Sequence, residues 1–187
     1  MKNTIPILVI IGPSGAGKST LIRKLFEDNI IKINPTWTTR PKRIEDSDLG
    51  IEHKFVTESE FDKKSSENYF LEEVSLFGLP YRYGLPKIFK STPNKISLVM
   101  LRANLLHLFS KHYDNFIVYQ IEDSLYNVKK RLTERVQNGE NLGTRLTDYN
   151  KEIKSGHAIA NRIFINTSKD DLYNQIIEAI RKDFRLL

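Results

Sequence analysis

The hydrophobic residues of the chain fall into short runs that alternate with amphipathic segments. The first run, residues 5–11, is almost continuously apolar and rich in β-branched residues, as is typical of a parallel strand covered on both faces. Residues 18–27 follow it and place Leu21, Ile22 and Leu25 on one face of a helix. The chain therefore opens with a strand, a loop and a helix.

The same alternation continues through the second half of the chain. Apolar runs predict further strands at residues 95–101, 116–121 and 161–166. Helical patterns lie between and after these strands, at residues 104–112, 124–135, 144–154 and 170–184. Strands that alternate with helices predict an α/β fold with a central parallel sheet and helices on both faces.

A polar, charge-dense section at residues 36–53 interrupts this alternation, and aromatic residues follow it up to Phe70. We expect these segments to form a small lobe beside the core. The predicted organisation is a single domain over residues 1–187. Its parts are a core of residues 1–33 and 85–187, a lobe of about residues 34–84 and a lid of about residues 135–147.

Composition narrows the classes of function. No apolar run approaches the roughly 20 residues that a membrane-spanning helix requires, so we expect no membrane partner. The absence of cysteine excludes disulfides and thiolate metal sites and fits a cytoplasmic location. The net charge of +6 suits either nucleic acid or a site that holds several phosphates, and a solvated basic surface would give the same value. Charge alone does not decide among these.

A glycine-rich loop follows the first strand and matches the phosphate-loop pattern G-x-x-x-x-G-K-[ST]. The pattern predicts a three-layer P-loop NTPase fold that binds ATP and Mg²⁺. Lys18 should reach the β- and γ-phosphates, and the Ser19 hydroxyl should ligate the magnesium ion. The alternative is a glycine turn that binds nothing. The predicted ATP-binding residues of the loop are Gly12, Pro13, Ser14, Gly15, Ala16, Gly17, Lys18, Ser19 and Thr20.

Residues 36–43 read Thr-Trp-Thr-Thr-Arg-Pro-Lys-Arg. Together with the phosphate loop, this run resembles the guanylate kinase family, which carries a serine, two threonines, an arginine and a second arginine three residues later. The resemblance implies that Arg40 and Arg43 grip the phosphate of the phosphoryl acceptor, with Thr36 at the position of the serine. Paired guanidinium donors that never lose their charge suit a monophosphate dianion.

Three further motifs follow in the order of the same family. His53 stands at the position of a phosphate-binding tyrosine, where its hydrogen bonding would depend on pH near neutrality. Glu72, after Phe70 and Leu71, resembles the glutamate whose carboxylate accepts hydrogen bonds from the guanine N1 and N2 edge. Tyr83 belongs to a Tyr-Gly pair that offers a hydroxyl to the acceptor phosphate. Each motif alone is weak, and the common order makes the resemblance specific.

The second half resembles the family lid, whose arginines close over the ATP phosphates. The candidates are Arg131, Arg135 and Arg145, although such arginines are also common on ordinary amphipathic helices. Asn166 ends a late strand that lies near the adenine in the family. The resemblance implies small-molecule nucleotide substrates and not a nucleic-acid partner. The chain carries no signal of its oligomeric state.

One strand departs from the family, which carries two aspartates where this chain has Met100 and Arg102. Arg102 would donate to guanine O6 and N7 or pair with Glu72, but it cannot accept from the guanine amino group. An Arg-Ala pair after a hydrophobic strand, here Arg102 and Ala103, also resembles the ribose 1,5-bisphosphate phosphokinases, which act on a phosphosugar. Three hypotheses therefore stand: a GMP kinase, a kinase acting on a phosphosugar or another nucleotide, and a guanylate kinase-like binding module without activity.

Overall fold

The computed structural model describes residues 5–43, 46, 50–75, 79–87, 95–135 and 142–184, apart from the side chains of Arg135, Leu142, Thr144 and Arg145. Within these ranges the chain forms nine strands and six α-helices. The strands are β1 (Ile7–Ile11), β2 (Ile31–Ile33), β3 (Thr36–Thr38), β4 (His53–Phe55), β5 (Phe70–Ser75), β6 (Arg82–Pro86), β7 (Ile96–Met100), β8 (Phe116–Glu122) and β9 (Arg162–Ile165). The helices are α1 (Lys18–Glu27), α2 (Glu58–Ser66), α3 (Leu106–Phe109), α4 (Leu125–Arg135), α5 (Leu142–His157) and α6 (Lys169–Phe184).

The central sheet has the strand order β2-β7-β1-β8-β9, and all of its strand pairs are parallel. Val9 of β1 lies beside Val99 of β7 on one side and Val118 of β8 on the other. These apolar strands are the buried runs that the hydrophobic pattern predicted.

Side chains of β1 point alternately into two hydrophobic clusters. Leu8 and Ile10 belong to a cluster with residues of α1 and α6, whereas Val9 and Ile11 belong to one with residues of β7, β8 and α3. Because successive residues of a strand face opposite sides, the sheet is covered on both faces. This arrangement confirms the predicted three-layer α/β fold.

A second sheet has the order β4-β3-β6-β5 and combines one parallel pair with two antiparallel pairs. Its core is a cluster of Trp37, Phe61 and Phe70, with Tyr69 packed against it. The rings of Phe61 and Phe70 stack with centroids 4.6 Å apart. Four aromatic residues of the predicted lobe therefore form one packed unit, but the sequence did not predict its short strands.

Several element boundaries differ from those predicted. The helix expected at residues 104–112 is a 3₁₀ turn, Ala103–Leu105, followed by the single α-helical turn of α3. Helix α5 begins before residue 144 and continues to His157, and β9 ends one residue before Asn166. Among the described helices, none has the length and apolar composition needed to cross a bilayer.

Candidate active site

The phosphate loop connects β1 to the first turn of α1, and its backbone requires glycine at two closely packed points. Gly12 has φ 131°, and a Cβ there would lie 2.1 Å from the carbonyl oxygen of Ile121. Gly17 has φ 102°, and a Cβ there would lie 2.4 Å from Nδ2 of Asn166. Left-handed backbone at these points curls the loop so that N–H groups at the start of α1 form an anion site.

Lys18 is the first residue of α1, and its ammonium group lies over the loop. Nζ donates to the carbonyl oxygens of Gly12 at 2.6 Å and Pro13 at 2.8 Å. The positive charge is therefore held where the pattern predicts the phosphates of ATP. Ser19 follows it on the wall of the same cavity.

A cavity of about 310 Å³ lies between the phosphate loop and the second sheet. The loop residues on its wall are Gly12, Ser14, Gly15, Gly17, Lys18, Ser19 and Thr20. All seven residues predicted to bind the acceptor also line it: Thr36, Arg40, Arg43, His53, Glu72, Tyr83 and Arg102. The fold thus brings together, in one cavity, two sets of residues that were predicted separately.

Arg40 is buried and held from several sides. Nη1 donates to the carbonyl oxygen of Pro41 at 2.8 Å, and Nη2 donates to Oδ2 of Asp46 at 2.9 Å. The guanidinium carbon lies 5.0 Å from the centroid of the Phe55 ring. The same Asp46 oxygen accepts the backbone N–H of Arg43 at 2.7 Å. Asp46 thereby fixes the two arginines relative to each other.

His53 lies beside these arginines, with ring centroids 6.1 Å from Phe55 and 6.2 Å from Tyr83. Burial, reinforced by the positive charge of Arg40, lowers the pKa of His53 to about 4. Nδ1 is buried without a hydrogen-bond partner among the described residues. The imidazole is therefore neutral near pH 7, whereas the sequence suggested hydrogen bonding that depends on pH near neutrality.

Glu72 reaches the cavity because β5 is irregular. The pairing of β5 with β6 shifts between Phe70 and Glu72, a bulge-like irregularity. Adjacent residues of a regular strand point to opposite faces, and a bulge changes that direction. Leu71 and Glu72 accordingly both line the cavity. The apolar wall of the same cavity includes Val74, Leu85, Met100, Leu101, Leu105, Leu108 and Phe109.

Arg102, just after β7, connects the cavity to α5. Nη2 donates to Oε2 of Glu152 at 2.9 Å and forms a second ion pair with Asp148. Glu152 also accepts the backbone N–H of Ala103 at 2.6 Å. The sequence suggested guanine or Glu72 as partners of Arg102 and did not predict these ion pairs.

Comparison with known proteins places this chain in a family. The family model described as "Guanylate kinase" matches residues 4–183. The chain belongs to the guanylate kinase family. The guanylate kinase of Clostridium perfringens strain SM101 is 33% identical over 175 residues, which cover 86% of this chain and 78% of that protein. The guanylate kinase of Schizosaccharomyces pombe is 29% identical over 180 residues, which cover 92% and 88% of the two chains.

A solved structure supports the fold. The crystal structure of guanylate kinase from Anaplasma phagocytophilum superimposes with a TM-score of 0.72 and 21% identity, covering 98% of this chain and 88% of the other. The predicted resemblance to the guanylate kinase family is therefore confirmed over nearly the whole chain.

The lid candidates of this guanylate kinase family member are only partly described. Arg131 on α4 donates from Nη1 to the carbonyl oxygen of Gly15 at 2.7 Å and to Asp123 at 2.6 Å. The side chains of Arg135 and Arg145 lie outside the described residues. Asn166 is 7% exposed, and Nδ2 donates to the carbonyl oxygen of Ala16 at 2.9 Å, so it supports the phosphate loop.

Sequence reasoning missed the acidic residues that hold the basic ones. Asp46 pairs with Arg40, Asp123 with Arg131, and Glu152 with Arg102. One signal was readable: Asp148 and Glu152 are four residues apart, a spacing that places two carboxylates on one face of a helix. Their partner lies about fifty residues earlier, and local patterns contain no information on that contact.

Proposed function

We propose that this chain transfers the γ-phosphoryl group of ATP to GMP and forms ADP and GDP. The observation that carries the proposal is the shared cavity, which is lined by seven residues of the phosphate loop and by all the residues predicted for the acceptor. Phosphoryl transfer between two nucleotides depends mainly on holding both phosphates in line and stabilising their charge. One cavity with basic residues of both sets meets that need.

On the ATP side, Lys18 binds the β- and γ-phosphates, and the loop N–H groups surround them. The Ser19 hydroxyl would hold Mg²⁺, which supplies charge neutralisation between the phosphates when bound. No cluster of three or more acidic or histidine residues suited to a metal occurs in the described part of the chain. A single serine hydroxyl suits Mg²⁺, which keeps several waters and takes few protein ligands.

The lid arginines would complete the ATP side. Arg131, Arg135 and Arg145 would stabilise the charge that develops on the transferred group. Part of the predicted lid of about residues 135–147 lies outside the described residues. Asn166 supports the loop near the adenine. We assign ATP binding to the core, residues 1–33 and 85–187.

On the acceptor side, residues 34–84 form the lobe that binds GMP. Arg40 and Arg43 hold its phosphate, with Tyr83, Thr36 and neutral His53 as further hydrogen-bond partners. An oxygen of that phosphate attacks the γ-phosphorus, the bond to the oxygen bridging the β- and γ-phosphates breaks, and ADP leaves. The attacking oxygen is already anionic, so no general base is required.

The apolar wall favours a nucleotide over a phosphosugar. Met100, Leu105 and Leu108 are partly exposed to the cavity. A planar base buries its faces against such side chains, whereas a sugar would leave its hydroxyl groups without partners there. Glu72 offers a carboxylate to the guanine edge, and Arg102 lines the same cavity. The presence of both Lys18 and Ser19 argues against a binding module that has lost catalysis.

We also propose a cytoplasmic location, supported by the absence of cysteine.

Glu72 offers the sharpest test of the acceptor. Glu72→Gln should reduce kcat/KM for GMP by about 10- to 100-fold, because the amide cannot accept from both N1 and N2. The value for AMP should change little. An equal change in kcat/KM for GMP and AMP would show that Glu72 does not recognise the base.

A further inference from the structure

A buried carboxylate lies between the phosphate loop and α4, and the roles proposed above do not use it. Asp123 follows β8, and its side chain is 1% exposed. Oδ1 accepts the backbone N–H of Ser124 at 2.7 Å and Nδ2 of Asn127 at 2.8 Å. Oδ2 accepts Nη1 of Arg131 at 2.6 Å. The two oxygens therefore have separate partners, one near the start of α4 and one on the arginine.

The start of α4 has a cap of its own. The Ser124 hydroxyl accepts the backbone N–H of Asn127 at 3.2 Å, as an N-cap residue does. Burying a carboxylate is costly unless its charge is paired. Oδ2 of Asp123 is thus not needed for capping, and its ion pair with Arg131 accounts for its charge.

Arg131 is held at the phosphate loop by the same interaction. Its Nη1 also donates to the carbonyl oxygen of Gly15 at 2.7 Å. Side-chain atoms of Val128 and Leu132 lie 3.5 Å from the point where a Cβ of Gly15 would be, so α4 packs directly on the loop. Both bonds use Nη1, and among the described residues Nε and Nη2 of Arg131 have no hydrogen-bond partner.

We propose that Asp123 is a positioning residue that fixes Arg131 at the loop and directs its remaining donors at the phosphates of bound ATP. This inference rests on the proposed function, in which Arg131 acts on ATP. A guanidinium group that is oriented before the substrate arrives stabilises the transition state without reorganisation. Tyr149 of α5 donates its hydroxyl to the carbonyl oxygen of Asp123 at 2.8 Å, which further fixes this point of the chain.

The first test is Asp123→Asn, which keeps an oxygen for Ser124 and Asn127 but places an N–H₂ donor opposite the Arg131 donor. We expect kcat with ATP and GMP to fall about tenfold or more, as for loss of a preorganised catalytic contact. KM for GMP should stay within about twofold, because Arg131 does not hold the acceptor. Asn127→Ala removes only an Oδ1 contact and is the matched control; its kcat should stay near that of the wild type.

The second test is a double-mutant cycle with Arg131→Ala. If Asp123 acts through Arg131, then Asp123→Asn should have no further effect on kcat in the Arg131→Ala background. A decrease by the same factor in both backgrounds would show a general structural role and overturn the inference. Should Asp123→Asn fail to fold, Asp123→Ser takes its place in the cycle, because its hydroxyl still serves the backbone of Ser124.

ATP affinity, measured in the same double-mutant cycle, distinguishes a failure of this inference from a failure of the proposed function. A wild-type chain that transfers nothing to GMP would refute the proposed acceptor but leave ATP binding measurable by titration. Asp123→Asn should then weaken ATP binding only where Arg131 is present. Equal weakening in both backgrounds, or no weakening in either, would overturn the positioning role.

Discussion

Arg102, just after β7, and Glu152 on α5 form an ion pair with a 2.9 Å separation between Nη2 and Oε2. Glu152 is 3% exposed and also accepts the Ala103 N–H, so it ties the end of the strand to the helix. Asp148 adds a second carboxylate to the same guanidinium group. Arg102 thus has a structural role that its alignment with a family aspartate did not suggest.

Replacing Arg102 by aspartate tests that role. Aspartate is the residue that the family resemblance sets at this position. With Asp148 and Glu152 adjacent, the substitution gathers three carboxylates. We expect the free energy of unfolding to fall by at least about 2 kcal/mol, since breaking a buried ion pair costs about 3–5 kcal/mol and this one is partly exposed.

The matched control is Arg102→Lys, which keeps the charge and should lose less stability in the same denaturant titration. If Arg102→Asp unfolds at the same denaturant concentration as the wild type, the ion pairs contribute no net stability and the base-reading role regains support.

Lys18 provides charge at the phosphates. Lys18→Ala should lower phosphoryl transfer by about 100-fold or more, the usual cost of losing a preorganised donor. The unfolding temperature should change little, because Lys18 contacts loop carbonyls and does not fill the core. Lys24 on the same helix pairs with Asp28 at an exposed position, so Lys24→Ala should keep full activity. More than about a tenth of wild-type activity in Lys18→Ala would contradict the assignment.

Arg43 should act on the acceptor and not on ATP. Arg43→Ala removes one charged donor, and KM for GMP should rise about 10-fold or more while KM for ATP stays within about twofold. Steady-state kinetics with each substrate varied gives both values. The exposed neighbour Lys42 supplies the control, because Lys42→Ala should affect neither constant. Equal increases in KM for the two substrates would contradict the assignment of Arg43 to the acceptor site.

His53 makes stability depend on pH. Its pKa is about 4 in the folded chain and near 6.5 when unfolded, so the unfolded chain binds more protons between those values. Stability from this group is fully present above about pH 6.5 and is lost as the pH falls towards 4. His53→Gln should therefore lose less stability than the wild type between pH 7 and pH 4.5. Chemical denaturation at several pH values measures the difference.

His112 is exposed, and His112→Gln serves as the control that should retain the wild-type pH dependence. If His53→Gln and the wild type lose stability in parallel, then His53 is not buried as a neutral ring.

Local patterns predicted the core and the positions of the site. Gly12 and Lys18 were found because the phosphate loop is one contiguous motif between a strand and a helix. Arg40 and Glu72 were found because family motifs occur in a fixed order along the chain. By contrast, the three-residue strands β3 and β4 are too short for an alternating pattern to be visible.

The environment of each site residue was not predictable in the same way. The low pKa of His53 depends on its burial and on the nearby positive charge of Arg40. The orientation of Glu72 depends on an irregular pairing of β5 with β6. The ion pair between Arg102 and Glu152 joins residues 50 positions apart. These properties arise from tertiary packing, which neither periodicity nor motif spacing contains.

The proposed phosphoryl acceptor is a guanine nucleotide. The direct measurement is ADP release with ATP and Mg²⁺ over a panel of GMP, AMP, other nucleoside monophosphates and ribose 1,5-bisphosphate. We predict the highest kcat/KM for GMP, at least about 10-fold above AMP, a ratio that a carboxylate matched to the guanine edge readily supplies. A higher value for ribose 1,5-bisphosphate, or no ADP release with any acceptor, would contradict the account.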